Sequence, residues 1–539
     1  MTSQRPAPDV LVVGGGLGGV AAALAAARLG SSVVLTEESP WLGGQVTSQG
    51  VPPDENRHIE TVGAGRSYQA YRDVVRTLYR EGLAGELTAG AAGAEHLNPG
   101  TATVSRIAHE PKMSVAALDR MLAPYEAKGT LTIHRGWQPT SATVDGDRVT
   151  SVQFVDSAGS RHDVTAAMVL DATEDGLLLE LTGCEYLLGS ESQDETGEPH
   201  ALTGPTDPYD QQAITWCLAV EHRPGESHVI DRPTEYPFWR DFTPTFWTGP
   251  LLSFTGCAPP TREPILWPLF RPEDEWSLWT YRRIRDRRHF SDGGPDISLV
   301  NWPQHDYFAG PVVGVPEDVR QRHLTGARQL TLSFLYWLQT EAPRDDGGTG
   351  FPELKPATDV FDTPDGLALR PYLREGRRIV ARTTVLEQDI AYDVRPEGPR
   401  LFDDTVGIGS YRIDLHPSTG MRNYVDFAAH PFQVPLGALV PVRLQNLVPA
   451  AKNIGTTHIT NGCYRLHPVE WTIGEAAGAL AAVCARRHRS PEQIHATPEL
   501  LSEFQTLLTD TLGARLSWPD HVLAESRQLE IAKQQRKNS

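Results

Sequence analysis

Four side chains able to do chemistry fall within ten positions of one another: His458, Tyr464, Arg465 and His467. An imidazole takes up a proton near neutral pH. A guanidinium is always charged and can clamp a carboxylate or polarise a carbonyl. Together they suit a reaction in which a substrate is held while one proton is moved, and they are the candidate catalytic residues. Arg374, Arg377 and Arg378 can orient a ligand or form ion pairs with Glu375 and Asp389. His416, in Asp414-Leu415-His416-Pro417, reads as a site residue or as a loop histidine. A lone His58 does not establish a covalent cofactor link. The run Arg282, Arg283, Arg285, Arg287, Arg288 reads as a solvated or ion-paired helix face, not as a phosphate patch.

A second chemical pattern stands at the other end of the chain. Gly14-x-Gly16-x-x-Gly19 follows the apolar run Asp9–Val13 and precedes the Ala-rich stretch Val20–Leu29. The first glycine makes a tight turn, the second admits a pyrophosphate to the backbone, and the third lets helix and strand pack closely. The helix N-terminus then offers N–H groups and partial positive charge to phosphates. Ser32–Thr36 reads as the next strand, and Glu37 at its end can accept hydrogen bonds from both ribose hydroxyls. Gly14, Gly15, Gly16, Leu17, Gly18, Gly19 and Glu37 are therefore read as dinucleotide-binding. Gly43-Gly44-Gln45 lets the backbone run beside a bulky ligand, with Ser48 and Gln49 lining it.

The elements that must position these residues are scattered. Helices are expected at about 66–82, 113–128 and 468–487, and again over 497–539. Strands are expected at 131–133, 149–155 and 167–170, with Asp145-Gly146-Asp147 as a turn. The stretch 191–210 reads as a linker or long loop. Eight of the twelve Trp lie in 211–340, a Pro-broken region read as an inserted domain, its Trp more as core than as a substrate cage. The chain has 539 residues, 40% hydrophobic and 22% charged, which excludes a disordered or fibrous class. A formal charge of -19 opposes binding to nucleic acid or anionic lipid. Five Cys without a CxxC pair exclude a disulfide framework, a redox dithiol and an iron–sulfur centre. No signal peptide or membrane span is legible, so a cytoplasmic location is expected.

Residues 9–45 resemble the FAD-binding signature of the glutathione-reductase-like flavoproteins. Asp171-Ala172-Thr173-Glu174-Asp175 resembles their second FAD motif, without a Gly after the Thr. Asn446–Gly455, which contains Asn453, resembles the last one. Arg374–Ile379 and the block from His458 to Gly478 look like the FAD-dependent oxidoreductases distantly related to fumarate reductase flavoproteins. The resemblance implies that Asp171, Ala172, Thr173 and Asn453 pass near FAD, and that the helix starting at Pro468 and Val469 points its N-terminus at the flavin. It implies an α/β fold: a Rossmann-like FAD-binding fold, with a parallel sheet and a β-meander crossover, plus an inserted mixed α+β substrate domain. The expected division is 1–200 and 371–490 for FAD, 201–370 for substrate, and 491–539 as a helical tail. The expected reaction is hydride transfer from a small organic metabolite to flavin, with an external electron acceptor. An alkene reductase and a non-catalytic FAD-binding scaffold are the alternatives, and a homo-oligomer stays open.

Overall fold

The structure is a computed structural model that describes residues 7–537 apart from Pro260 and Asp274. Five strands form one parallel sheet: β1 (Val10–Val13), β2 (Val33–Glu37), β3 (Leu131–Arg135), β4 (Met168–Asp171) and β5 (Leu447–Pro449). Their order is β5-β4-β1-β2-β3. Val10 lies opposite Val33 on one side and Met168 on the other, so β1 is the central strand. Successive side chains of a strand face opposite ways. Val10 and Val12 accordingly enter one core, while Leu11 and Val13 enter another. Burial on both faces is why this strand reads as an unbroken apolar run.

The two faces are covered differently. Between β3 and β4 the chain forms an antiparallel meander, Gln138–Asp145, Arg148–Val155 and Arg161–Val164. Its Val149, Val152 and Phe154 pack on Leu11, Val13 and Val169. The opposite face carries helices α1 (Leu17–Arg28) and α4 (His467–Arg487). These two approach backbone to backbone. A Cβ on Gly474 would lie 2.0 Å from the carbonyl oxygen of Gly18, and one on Gly478 would lie 2.1 Å from that of Ala22. The α4 helix begins at His467, so Pro468 is its second residue, one place later than the sequence suggests.

A second core is drawn from residues 213–373, joined by Val51. It is built on a four-stranded antiparallel sheet in the order Arg283–Arg285, Asp296–Val300, Leu218–His222, Leu354–Pro356. The long helix α2 (Glu317–Thr340) packs into the same core. Trp216, Trp239, Trp247, Trp279, Trp302 and Trp337 are buried in it, as core tryptophans; Trp276 is exposed. The arginine run is not a helix face. Arg283 and Arg285 are buried strand residues, paired with Glu273 and Asp286 and with Asp292 respectively. Strand burial forces those pairs, because an unpaired charge there would be costly. The 191–210 stretch is a folded loop, pinned by bridges Ser190–Asp207 and Ser192–Leu202, and it buries Glu191 and Glu198. Helices Pro491–Ala496, Pro498–Thr506 and Asp520–Lys537 form the last segment; the expectation for Asn538 and Ser539 falls outside the described residues. Among the described residues no helix is long and apolar enough to cross a membrane.

Candidate functional site

Where β1 meets α1, Gly14 has φ +101° and packs against the Ala172 carbonyl, leaving no room for a side chain. The Gly15 N–H donates to Glu37 Oε2 at 2.7 Å, and the Ser39 N–H donates to Glu37 Oε1 at 2.8 Å. The Glu37 carboxyl is thus held at the tip of β2. Burial, helped by the charge of Glu38, lifts its pKa to about 7 against those two hydrogen bonds. Gly43 forms a bridge with Gly16 and donates its N–H to the Gly15 carbonyl at 2.7 Å, so the second glycine doublet lies against the first. Gly43 has φ +109° and Gly44 φ +51°, and both also need the missing side chain for space.

Three distant segments close around this turn. Asp171 Oδ1 accepts from the Thr173 N–H and hydroxyl, and Oδ2 accepts from the Leu179 N–H. Asn453 donates from Nδ2 to the Asp171 carbonyl at 3.1 Å. These bonds fix the ends of β4 and β5 beside Gly14. The α4 N-terminus supplies Glu470, whose Oε1 accepts from the Gly18 N–H at 3.2 Å. Gln45 donates to the other Glu470 oxygen, and Lys452 pairs with Glu174. Burial raises the pKa of Glu470. Two adjoining cavities of about 260 and 220 Å³ run along this edge. Both are lined by Glu37, Glu174, Arg320 and Arg370. One reaches Gly14, Ala172 and Thr173, the other Gly44, Ser48 and Gln49.

The profile described as "FAD dependent oxidoreductase" matches residues 9–508. The chain belongs to that family. FAD is its cofactor. No curated protein matches the chain in sequence. Among solved structures it is similar to the Rhodococcus jostii 3-ketosteroid-Δ4-(5α)-dehydrogenase, at 16% identity and TM-score 0.20, over 33% of this chain and 49% of that one. It is similar to the Bacillus halodurans glycerol-3-phosphate dehydrogenase complexed with FAD, at 15% identity and TM-score 0.22, over 40% of each chain. It is also similar to the myxobacterial chondrochloren halogenase, at 11% identity and TM-score 0.34, over 94% of this chain and 79% of that one. The chain thus spans half or less of the length of these two dehydrogenases.

The residues present fit FAD. The turn is stripped of side chains where a pyrophosphate would need the backbone. Gln45 Oε1 and Glu174 Oε1 are buried at its mouth with no hydrogen-bond partner among the described residues. Arg320, Arg370 and Lys452 bring positive charge to the same edge. Glu174 stands where the family-like motif lacks its glycine; its charge is met by Lys452.

Beside the cofactor segment lies a buried polar network. Gln45 Nε2 donates to the Arg465 carbonyl at 3.0 Å. Arg465 donates from Nη1 to Tyr372 Oη at 2.6 Å and from Nη2 to the Asp414 carbonyl at 3.0 Å; its buried Nε has no partner among the described residues. His458 opens helix α3 (His458–Tyr464), with Nδ1 2.8 Å from Glu375 Oε2 and Nε2 3.3 Å from Arg422 Nη2. Burial works against Glu375, yet His458 and Arg378 hold its pKa down at about 2. His467 accepts the Asp54 N–H on Nδ1 and donates from Nε2 to the Val51 carbonyl. Burial lowers its pKa to about 4, so it is neutral. Tyr464 donates to the Gln433 carbonyl at 2.7 Å and stacks on Phe432 in the main core. Of the four candidates, Arg465 and His467 stand nearest to Gln45 and the 51–54 loop, and Tyr464 turns into the core.

The three neighbouring arginines pair otherwise than the sequence suggests. Arg374 pairs with Asp306, Arg377 with Asp175 and Glu180, and Arg378 with Glu191; Asp389 is taken by Arg400. Sequence reasoning did not single out Asp306, Tyr372, Gln212 or Glu470. Asp306 sits in the aromatic insertion with no pattern around it. Glu470 was within reach, since it lies in the first turn of a helix whose start was legible.

Proposed function

We propose that this chain transfers a hydride from a small organic metabolite to FAD and passes the electrons on to an external acceptor. The observation that carries the reading is the link from Gln45, beside the glycine doublet, through Arg465 to Tyr372 and Asp414. It sets a buried, hydrogen-bonding cluster against the cofactor segment. FAD when bound supplies the two-electron acceptor. In this reading the turn Gly14–Gly19, Glu37 and Gly43–Gln45 bind the cofactor. Asp171, Ala172, Thr173 and Asn453 shape its edge, and Pro468 and Val469 lie in the first turn of the helix that faces it with its positive end. Arg465 holds a substrate oxygen through its free Nε. His467 fixes the 51–54 loop, Tyr464 anchors α3, and His458 orders Glu375. The second core, 213–373, covers the site and selects the metabolite.

The test is spectroscopic. The purified protein is expected to carry FAD, to lose its flavin colour anaerobically with the right metabolite, and to regain it with an acceptor. A colourless chain that cannot be reconstituted overturns the reading. Reoxidation of the pre-reduced protein by activated alkenes, with no metabolite able to reduce it, would reverse the direction.

A further inference from the structure

Two histidine–carboxylate pairs stand in the polar network, tied together by Gln212. The first is His458 with Glu375. The second is His416 with Asp306: His416 Nδ1 donates to Asp306 Oδ2 at 2.6 Å. Gln212 donates to Glu375 Oε2 at 2.9 Å and accepts the His416 N–H on Oε1 at 3.4 Å. The pairs differ in what the second ring nitrogen does. His458 Nε2 faces the Arg422 guanidinium. Both nitrogens of His467 are engaged by backbone. His416 Nε2 makes no hydrogen bond among the described residues; the nearest charged group is Asp414 Oδ2 at 3.9 Å. Its side chain keeps 18% of its surface open, whereas His458 keeps 4%.

Asp306 is unusually well built for holding a histidine. It is fully buried, and Oδ2 also accepts from Tyr424 Oη at 3.0 Å. Oδ1 accepts from Thr215 Oγ1 at 2.5 Å and from Arg374 Nη2 at 3.1 Å. Burial opposes its charge, but Arg374 and His416 hold its carboxyl well below the usual range. A permanently ionised carboxylate on Nδ1–H fixes the tautomer, leaves the lone pair on Nε2, and stabilises the imidazolium once a proton arrives. Burial and the Arg374 charge keep His416 below its ordinary pKa, so the ring is neutral at pH 7 and ready to accept. Asp414 lies between His416 Nε2 and Arg465, 3.6 Å from Arg465 Nη2. The Asp414 carboxylate thus stands next to both base and cation.

We propose that His416 Nε2 is the proton acceptor of the substrate site, positioned by Asp306, and that the substrate is an alcohol whose hydroxyl it deprotonates. This rests on the hydride-transfer reading above. Oxidising an alcohol breaks one C–H and one O–H bond and forms C=O. The hydride, with both electrons, goes to FAD; the hydroxyl proton goes to His416 Nε2. Arg465 then meets the growing carbonyl or a second oxygen of the substrate.

Diethyl pyrocarbonate on the FAD-containing protein at pH 7, read by peptide mass spectrometry, tests the free nitrogen without any substrate. His416 is expected to be carbethoxylated, with His458 and His467 spared. Labelling of His458 or His467 ahead of His416 overturns the assignment. With the metabolite that bleaches the flavin, H416N should keep its FAD and slow anaerobic reduction by about 10²–10⁴-fold. Asp306→Asn should move the rising limb of the pH–rate profile to lower pH, because Asp306 favours the imidazolium while Arg374 opposes it; Asp414 and Tyr424 are the other groups that face the ring. Should Asp306→Asn fail to fold for want of the Arg374 partner, Tyr424→Phe serves: with one donor fewer on Asp306 Oδ2 the imidazolium is held more firmly, and the same limb moves by less and to higher pH. H416N at wild-type rate, or a reducing metabolite without a hydroxyl, sinks the proposal. Flavin that no metabolite reduces, in a protein whose His416 labels as expected, sinks the hydride-transfer reading instead.

Discussion

At the scale of single residues, Glu37 shows how much one position commits. Its two oxygens are already oriented by the Gly15 and Ser39 amides, so a ribose would meet a fixed acceptor rather than a mobile one. A charged acceptor in a hydrogen bond contributes about 1.5–3 kcal/mol, and Glu37, its carboxyl pKa lifted to about 7, is such an acceptor above that pH. Glu37→Ala should therefore weaken FAD binding by roughly 10–100-fold, measured by equilibrium release of flavin from the folded protein. FAD retained at wild-type affinity would remove Glu37 from the ribose site. This residue was legible in the sequence because its chemistry is local: strand, turn, helix, strand and acid follow within thirty positions. The His416–Asp306 pair was not legible for the opposite reason. Its partners stand 110 residues apart, and Gln212, which ties it to Glu375, is farther still. No periodicity or spacing marks residues that only the fold brings together.

At the scale of elements, the contact between α1 and α4 sets the geometry of the cofactor edge. Both helices present their N-termini to the glycine turn, and Gly18, Ala22, Gly474 and Gly478 let their backbones touch. The small residues of α4 could be read from sequence as a sign of close packing; their partner on α1 could not. A methyl at Gly478 must push against a backbone carbonyl, which cannot rotate away as a side chain can. Overpacking of this kind typically costs about 1–3 kcal/mol, sometimes more. Gly478→Ala is expected to lower the melting temperature and FAD content together. Gly90→Ala is the control: it is helical, at negative φ, with open space where its Cβ would stand, so it should leave both unchanged or slightly raise stability. Equal effects from the two substitutions would show that helix propensity, and not close approach, governs the α4 position.

At the scale of the whole molecule, the segment 48–54 joins the two cores. Val51 is counted in the aromatic core, while the Val51 carbonyl and Asp54 N–H hold His467 at the start of α4. The Ser48 carbonyl accepts from the Arg370 N–H, and Gln49 Oε1 from the Leu373 N–H. The segment is completed by an ion pair. Asp54 and Arg282 meet at 3.3 Å, both side chains more than nine-tenths buried, and Arg282 Nε has no hydrogen-bond partner among the described residues. Arg282 is the residue just before the buried strand Arg283–Arg285 of the aromatic core, so the pair bolts one core to the other. Two charges taken out of water gain little over an apolar pair, but one charge left behind costs about 3–5 kcal/mol. Asp54→Asn should therefore destabilise the protein by about 3–5 kcal/mol. Arg282→Met should cost less, since a lone Asp54 can escape its charge by taking a proton whereas arginine cannot. The double variant should recover most of the loss. Urea denaturation of the four proteins closes the cycle: a coupling of less than about 0.5 kcal/mol would be that of independent sites, and would mean that the cores are held by apolar contact alone. Because Asp54 also fixes the loop that holds His467, the Asp54→Asn variant should lose FAD before it loses its aromatic core, a sequence that flavin and tryptophan fluorescence resolve in the same titration.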